Sequence, residues 1–138
     1  EEGALLGTGS WLTGIAMDAA GSGFVLADTF EHSVARWTVT SRGVATELLA
    51  GGGEQISRAR AATLAAKQAR LRARKGGAAG GAGKLHRPFA VACAGRYVFV
   101  CDSGNHRVLR LERGGGRAVV VAGGRGNGLG LDQLSYPR

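Results

Sequence analysis

Val98-Phe99-Val100-Cys101-Asp102-Ser103-Gly104-Asn105-His106-Arg107-Val108 is the stretch that decides the fold. Four apolar residues run into an acid, a short polar turn follows, and Arg107 opens a second apolar run. That is a strand, a turn and a returning strand. An Asp that ends a strand accepts hydrogen bonds from backbone N–H groups of the turn after it. Gly104 and Asn105 are residue types that tolerate a left-handed backbone. Arg107 is set to bridge a carboxylate or carbonyl of its own or a neighbouring repeat.

Working outward, the stretch belongs to an internal repeat. The first copy is Gly14 to Trp37 and the second is Phe89 to Leu111. Aligning Asp28 with Asp102 brings Thr29 to Ser103, His32 to His106, Val34 to Val108 and Arg36 to Arg110. Each copy then passes through a Gly-containing turn to an apolar run and a Gly pair, Ala50-Gly51-Gly52 and Ala122-Gly123-Gly124. A third start is visible at the end, where Gln133-Leu134-Ser135-Tyr136-Pro137 matches Lys84-Leu85-His86-Arg87-Pro88. Four short apolar runs are expected in each copy, over 14–18, 23–27, 33–39 and 44–49, then 89–93, 97–101, 107–112 and 117–122. Each copy therefore reads as one four-stranded antiparallel meander. Repeats of 40–50 residues with four strands each are the pattern of propeller blades.

Between the copies lies a different kind of sequence. Ile56 to Lys75 is rich in Ala, Leu, Arg, Lys and Gln, all strong helix formers. Gly76-Gly77 is a plausible stop, and the Ala/Gly run to Gly83 reads as a linker. Leu64 and Leu71 share a helix face with Lys67, so the apolar face is interrupted. Arg58, Arg60, Lys67, Arg70, Arg72, Arg74 and Lys75 supply seven of the net eight positive charges, and residues 55–75 hold no acid. The basic character thus belongs to one insert on a nearly neutral domain. Three readings stand for it: a solvated insertion, a contact to RNA or DNA phosphates, or a layer on an anionic membrane. No aromatics interleave with the charges, so base stacking is not offered. The chain divides as 1–53, a first repeat with its preceding loop; 54–83, helix and linker; 84–131, the second repeat and a connecting linker; and 132–138, the start of a third.

Composition excludes several classes. With 25 glycines in 138 residues but no Gly-X-Y period, the chain is not collagen. Its 44% hydrophobic content excludes a disordered tail. No run approaches the roughly 18 apolar residues of a membrane span. The acidic start, Glu1-Glu2-Gly3, has no signal-segment pattern, and the missing initiator Met suggests a piece of a longer protein.

No chemistry-bearing constellation emerges. Cys93 and Cys101 form no CxxC pair, so no zinc site is expected. A hairpin turning near Gly95 sets Cys93 against residues near Tyr97, so no disulfide is expected. Ser103 and His106 lie three apart on a turn with no group to orient a base, so no triad is read. Their recurrence as Thr29 and His32 points to a structural role. His86 reads as an exposed loop histidine, and one such residue makes no metal site. Gly123 to Gly128 lacks the Gly-Lys-Ser/Thr ending of a phosphate loop. Neither a catalytic residue, a metal nor a cofactor is assigned.

The string Asp102-Ser103-Gly104-Asn105-His106-Arg107, with the strand before it, resembles the NHL repeat. Asp28 to Ser33 is a degenerate copy that keeps Asp28 and His32, and Ala122 to Leu134 is similar to a linker between NHL blades. The resemblance covers all but the insert. It implies an all-β fold: part of an NHL-type β-propeller, two four-stranded antiparallel blades with a basic helical insert between them. The remaining blades would belong to the full-length chain. It also implies a non-catalytic scaffold presenting loops to protein partners. RNA binding is the alternative, through the basic insert or a propeller face. A second alternative is a fragment resembling the propeller lyase of peptide amidation, whose metal is held by histidines from separate blades.

Overall fold

The computed structural model describes residues 11–18, 21–51, 84–113 and 118–138. Eight strands are present among the described residues, all within a few residues of the runs expected from sequence. They are β1 (Leu12–Met17), β2 (Gly23–Asp28), β3 (Ser33–Thr40), β4 (Gly43–Gly51), β5 (Pro88–Ala94), β6 (Tyr97–Asp102), β7 (Arg107–Glu112) and β8 (Val119–Gly123). They form two four-stranded antiparallel meanders, β1-β2-β3-β4 and β5-β6-β7-β8. The only helical element among the described residues is one 3-10 turn, Ser103–Asn105. The helix and linker expected over 54–83, with their seven cations, lie outside the described residues.

The same irregularities recur in both sheets. Leu12 pairs with Asp28, and a register shift then sets Gly14 opposite Ala27. Pro88 pairs with Asp102, and a shift sets Ala90 opposite Cys101. A second shift follows Val34 in one sheet and Val108 in the other. Glycines serve the tight turns: Gly21 and Gly95 lie at φ +69° and +53°, a region that favours glycine.

Directly opposed residues share a face of a sheet. In the first sheet one face carries the rows Gly14–Ala27–Val34–Ala50 and Ala16–Val25–Arg36–Glu47. The other carries Ile15–Leu26–Ala35–Leu48 and Met17–Phe24–Trp37–Thr46. The core forms where the first of these faces meets the second sheet. It joins Val25, Ala27, Val34 and Ala50 to Leu85, Val98, Val100, Leu109, Leu111 and Ala118. Close approach of the strands explains Gly14, because a Cβ there would lie 2.8 Å from Ala90 Cα and the Phe89 carbonyl oxygen.

One ion cluster crosses the same seam. Asp18, at the end of β1 and buried, pairs with Arg36 of β3 at 2.5 Å and with Arg113 beyond β7. Arg113 also donates to the Gly95 carbonyl at 2.8 Å. The first sheet's carboxylate is thereby tied to two turns of the second. Cys93 and Cys101 are free thiols, and Cys93 lies opposite Val98, as its hairpin register requires.

Candidate functional site

The motif residues converge on the junctions between repeats. Thr29 follows strand β2, and its hydroxyl donates to the Pro88 carbonyl at 2.6 Å. Thr13 closes on the same hydroxyl at 2.7 Å. Three residues beyond Thr29, His32 Nδ1 accepts the Arg87 N–H at 2.8 Å. The second copy repeats both bonds. Ser103 donates to the Pro137 carbonyl, and His106 Nδ1 accepts the Tyr136 N–H at 3.2 Å. A hydroxyl and an imidazole thus hold one Xaa-Pro step of the following repeat, twice over.

Backbone geometry marks the same four residues. His32, Arg87, His106 and Tyr136 are the non-glycine residues with positive φ among the described residues, at 51°, 51°, 52° and 44°. Left-handed backbone in such residues costs about 1–3 kcal/mol each and persists where surrounding contacts enforce it. Donor and acceptor of each latch are both bent this way, which sets the N–H against the ring nitrogen. His32 also faces the His86 ring at 5.3 Å, and His106 meets Tyr136 edge-on at 4.3 Å.

Asp102 has another task. Its buried carboxylate accepts the His86 N–H at 2.7 Å on Oδ1, and Asn105 Nδ2 at 2.8 Å and Arg107 Nε at 2.7 Å on Oδ2. Asn105 and Arg107 donate again to the Lys84 carbonyl, at 2.9 and 3.3 Å. The motif therefore ties the strand end to the segment entering its own repeat. The bonds expected from backbone N–H groups of the following turn are found at Asp28 instead, whose Oδ1 accepts Phe30 N–H and Glu31 N–H at 3.0 and 2.9 Å. Position 107 decides this difference. It is Arg in the second copy and Ser33 in the first, and among the described residues Asp28 holds no guanidinium.

Two further expectations change. Gly104 and Asn105 are not left-handed; His106 is, and it caps the 3-10 turn. Gly104 is instead required for space, since a Cβ would lie 2.4 Å from His86 Nδ1, while its N–H donates to the His86 carbonyl at 2.8 Å. His86 is an exposed loop histidine, as expected, but its backbone is clamped on both sides by the motif.

Sequence reasoning missed Asp18, Arg113 and the two proline carbonyls. The prolines were legible as repeated positions, but nothing local announces that their carbonyls accept bonds. Asp18 is not repeated, since its counterpart before the β5–β6 turn is Ala94.

Burial raises the thiol pKa of both Cys93 and Cys101, with Arg36 partly offsetting it at Cys93. Among the described residues no three His, Cys, Asp or Glu side chains are grouped to hold a metal. No helix there is long and apolar enough to cross a membrane. Arg58, Arg60, Lys67, Arg70, Arg72, Arg74 and Lys75 lie outside the described residues. No family model matches the chain, and the search of curated proteins returns no match.

Proposed function

We propose that the chain is two blades and the opening of a third from an NHL-type β-propeller, serving as a non-catalytic scaffold for protein partners. The observation that carries this is the repetition of unlike faces. The face that the first sheet turns to the second, Gly14–Ala27–Val34–Ala50, corresponds to Ala90–Cys101–Val108–Ala122 on the second sheet's open face. The first sheet's opposite row, Ile15–Leu26–Ala35–Leu48, in which Leu26 is buried, corresponds to Val91–Val100–Leu109–Val120, which the second sheet turns inward. Ile15 and Met17 on that face of the first sheet are 67% and 66% exposed. Each open face is thus patterned for another sheet of the same kind. Residues 135–137 already take the seat on the second sheet that Arg87-Pro88 take on the first.

The scaffold reading follows from how the polar residues are used. The Asp, Ser, His and Arg of the motif hold backbone groups together, which leaves partner recognition to the loops. The test is interface mapping in the full-length protein. With a captured partner bound, amide exchange should slow at one rim, in 29–31 at one end of the sheets or around 95–97 at the other. Substituting Phe30 or Tyr97 with Ala should weaken binding. Substrate turnover that falls with Ser103→Ala or His106→Asn, while the fold is kept, would overturn the reading.

The charge concentrated in residues 55–75 favours RNA binding as a second reading. Single-stranded RNA affinity that falls steeply with salt, and is lost on deleting 54–83, would establish it.

A further inference from the structure

We infer that the junction between repeats is acid-sensitive, with His32 and His106 as paired proton sensors that release the following segment when they charge. The inference rests on hydrogen-bond geometry and not on closure of a ring. In both latches the imidazole Nδ1 is the acceptor and a backbone N–H is the donor. That bond exists only while Nδ1 carries no proton, which places the single ring proton of the neutral form on Nε2. Protonation sets one N–H against another. The docked junction therefore binds fewer protons than the released one, and docking weakens as pH falls. All three histidines of the chain stand at these junctions.

The surrounding charges push the same way or cancel. From the opposing segment, His32 is faced by the His86 ring at 5.3 Å and followed by the Arg87 side chain, with Lys84 further back. A charged His32 is repelled by Arg87 and Lys84 only while docked. Asp28 and Glu31 lie in its own turn and travel with it, so their attraction is common to both states. His106 has Asp102 and Arg107 in its own turn, already paired with each other at 2.7 Å. Across the junction it meets the neutral Tyr136 ring, with Arg138 two residues on. Among the described residues, neither junction places an opposing carboxylate where it would hold the charged ring.

The test compares the wild-type chain with His32→Asn/His106→Asn. Asn keeps an acceptor oxygen on Cγ, where His carries Nδ1, and it tolerates the left-handed backbone that both positions adopt. It cannot titrate. Protection of the Arg87 and Tyr136 amides, corrected for the intrinsic pH dependence of exchange, reports opening of the two latches. In the wild type the opening constant should rise as the pH is lowered, by up to about tenfold per pH unit. In the double variant it should stay flat. Equal pH slopes in the two proteins overturn the inference. A second readout needs no variant. Nitrogen-15 shifts of both histidines at pH 8 should show an unprotonated Nδ1 and a protonated Nε2, and the opposite tautomer refutes it.

Discussion

Replacing Asp102 with Asn tests how the motif works, because the same change at Asp28 should do almost nothing. At Asp102 the donors divide between the two oxygens: His86 N–H on Oδ1, Asn105 and Arg107 on Oδ2. An amide has only one oxygen. Whichever way the Asn side chain turns, its NH2 group meets a donor, and a buried guanidinium loses its anion. Asp102 is 0% exposed and the Arg107 side chain 14%. Breaking a buried pair by removing one charge costs about 3–5 kcal/mol. At Asp28 the two donors found among the described residues both address Oδ1, so Asn keeps these bonds and remains a good turn residue. Its cost should be under about 0.5 kcal/mol, as for a mild surface change. With a urea slope of about 2 kcal/mol per molar, the midpoint should fall by about 2 M for Asp102→Asn and by about a quarter molar for Asp28→Asn. Urea titrations of both variants, followed by circular dichroism, measure the difference. Equal losses, or a larger loss at Asp28, would refute the assigned division of donors.

Removing the latch hydroxyls by Thr29→Val or Ser103→Ala leaves a proline carbonyl short of its bond, and each should cost about 1–3 kcal/mol in the same assay. Gly14→Val sets a side chain against the backbone of β5 and should cost about 1–3 kcal/mol. Gly95→Ala meets no atom within 4 Å, so only its φ of +53° counts, at about 1 kcal/mol. Because burial raises the thiol pKa of Cys93 and Cys101, less thiolate is present at a given pH. Iodoacetamide should therefore modify both more slowly at pH 8 than in urea, with the rate still climbing above the ordinary thiol range. Mass spectrometry of the peptides checks this.

The strands were legible because each is a short apolar run bounded by Gly, Asp, Ser or Asn, and because the repeat states the pattern twice. The faces were not assigned from the sequence, and the structure shows them alternating: Val98, Val100 and Asp102 are buried while Tyr97, Phe99 and Cys101 are not fully so. The motif's structural role was legible from the recurrence of His32 and His106. Its wiring was not. An Asp followed by Gly-Asn suggests a turn capped by its own backbone, yet Arg107 and the His86 N–H, sixteen residues upstream of Asp102, claim the carboxylate. Only the fold brings the entry segment there. The left-handed histidines were hidden for a related reason: propensity points to Gly104 and Asn105, whereas the bond from Arg87 or Tyr136 holds His in that conformation. Asp18 is the extreme case, since its two arginines lie 18 and 95 residues away in sequence.

A division of labour follows from comparing the two copies position by position. Where they agree, some residues join one repeat to the next, Thr29 and Ser103, His32 and His106, and others shape the sheet itself, the paired bulges and Gly51 and Gly123. Where they differ, the side chain is free to serve something else. Phe30 stands where the second copy has Gly104, and it is 54% exposed. Arg36 is drawn to Asp18, whereas its counterpart Arg110 lies over the Tyr97 ring at 4.6 Å, with Arg96 at 5.1 Å. Tyr97 in turn replaces Gly23. A partner that reads this surface must discriminate by such differences, because the shared positions present the same backbone bonds at each junction. The Asp-Ser-His-Arg set that looks most like catalytic machinery in the sequence is thus the least available for recognition. Phe30 at one end of the sheets, and the Tyr97–Arg96–Arg110 group at the other, are where contact with a partner should be sought.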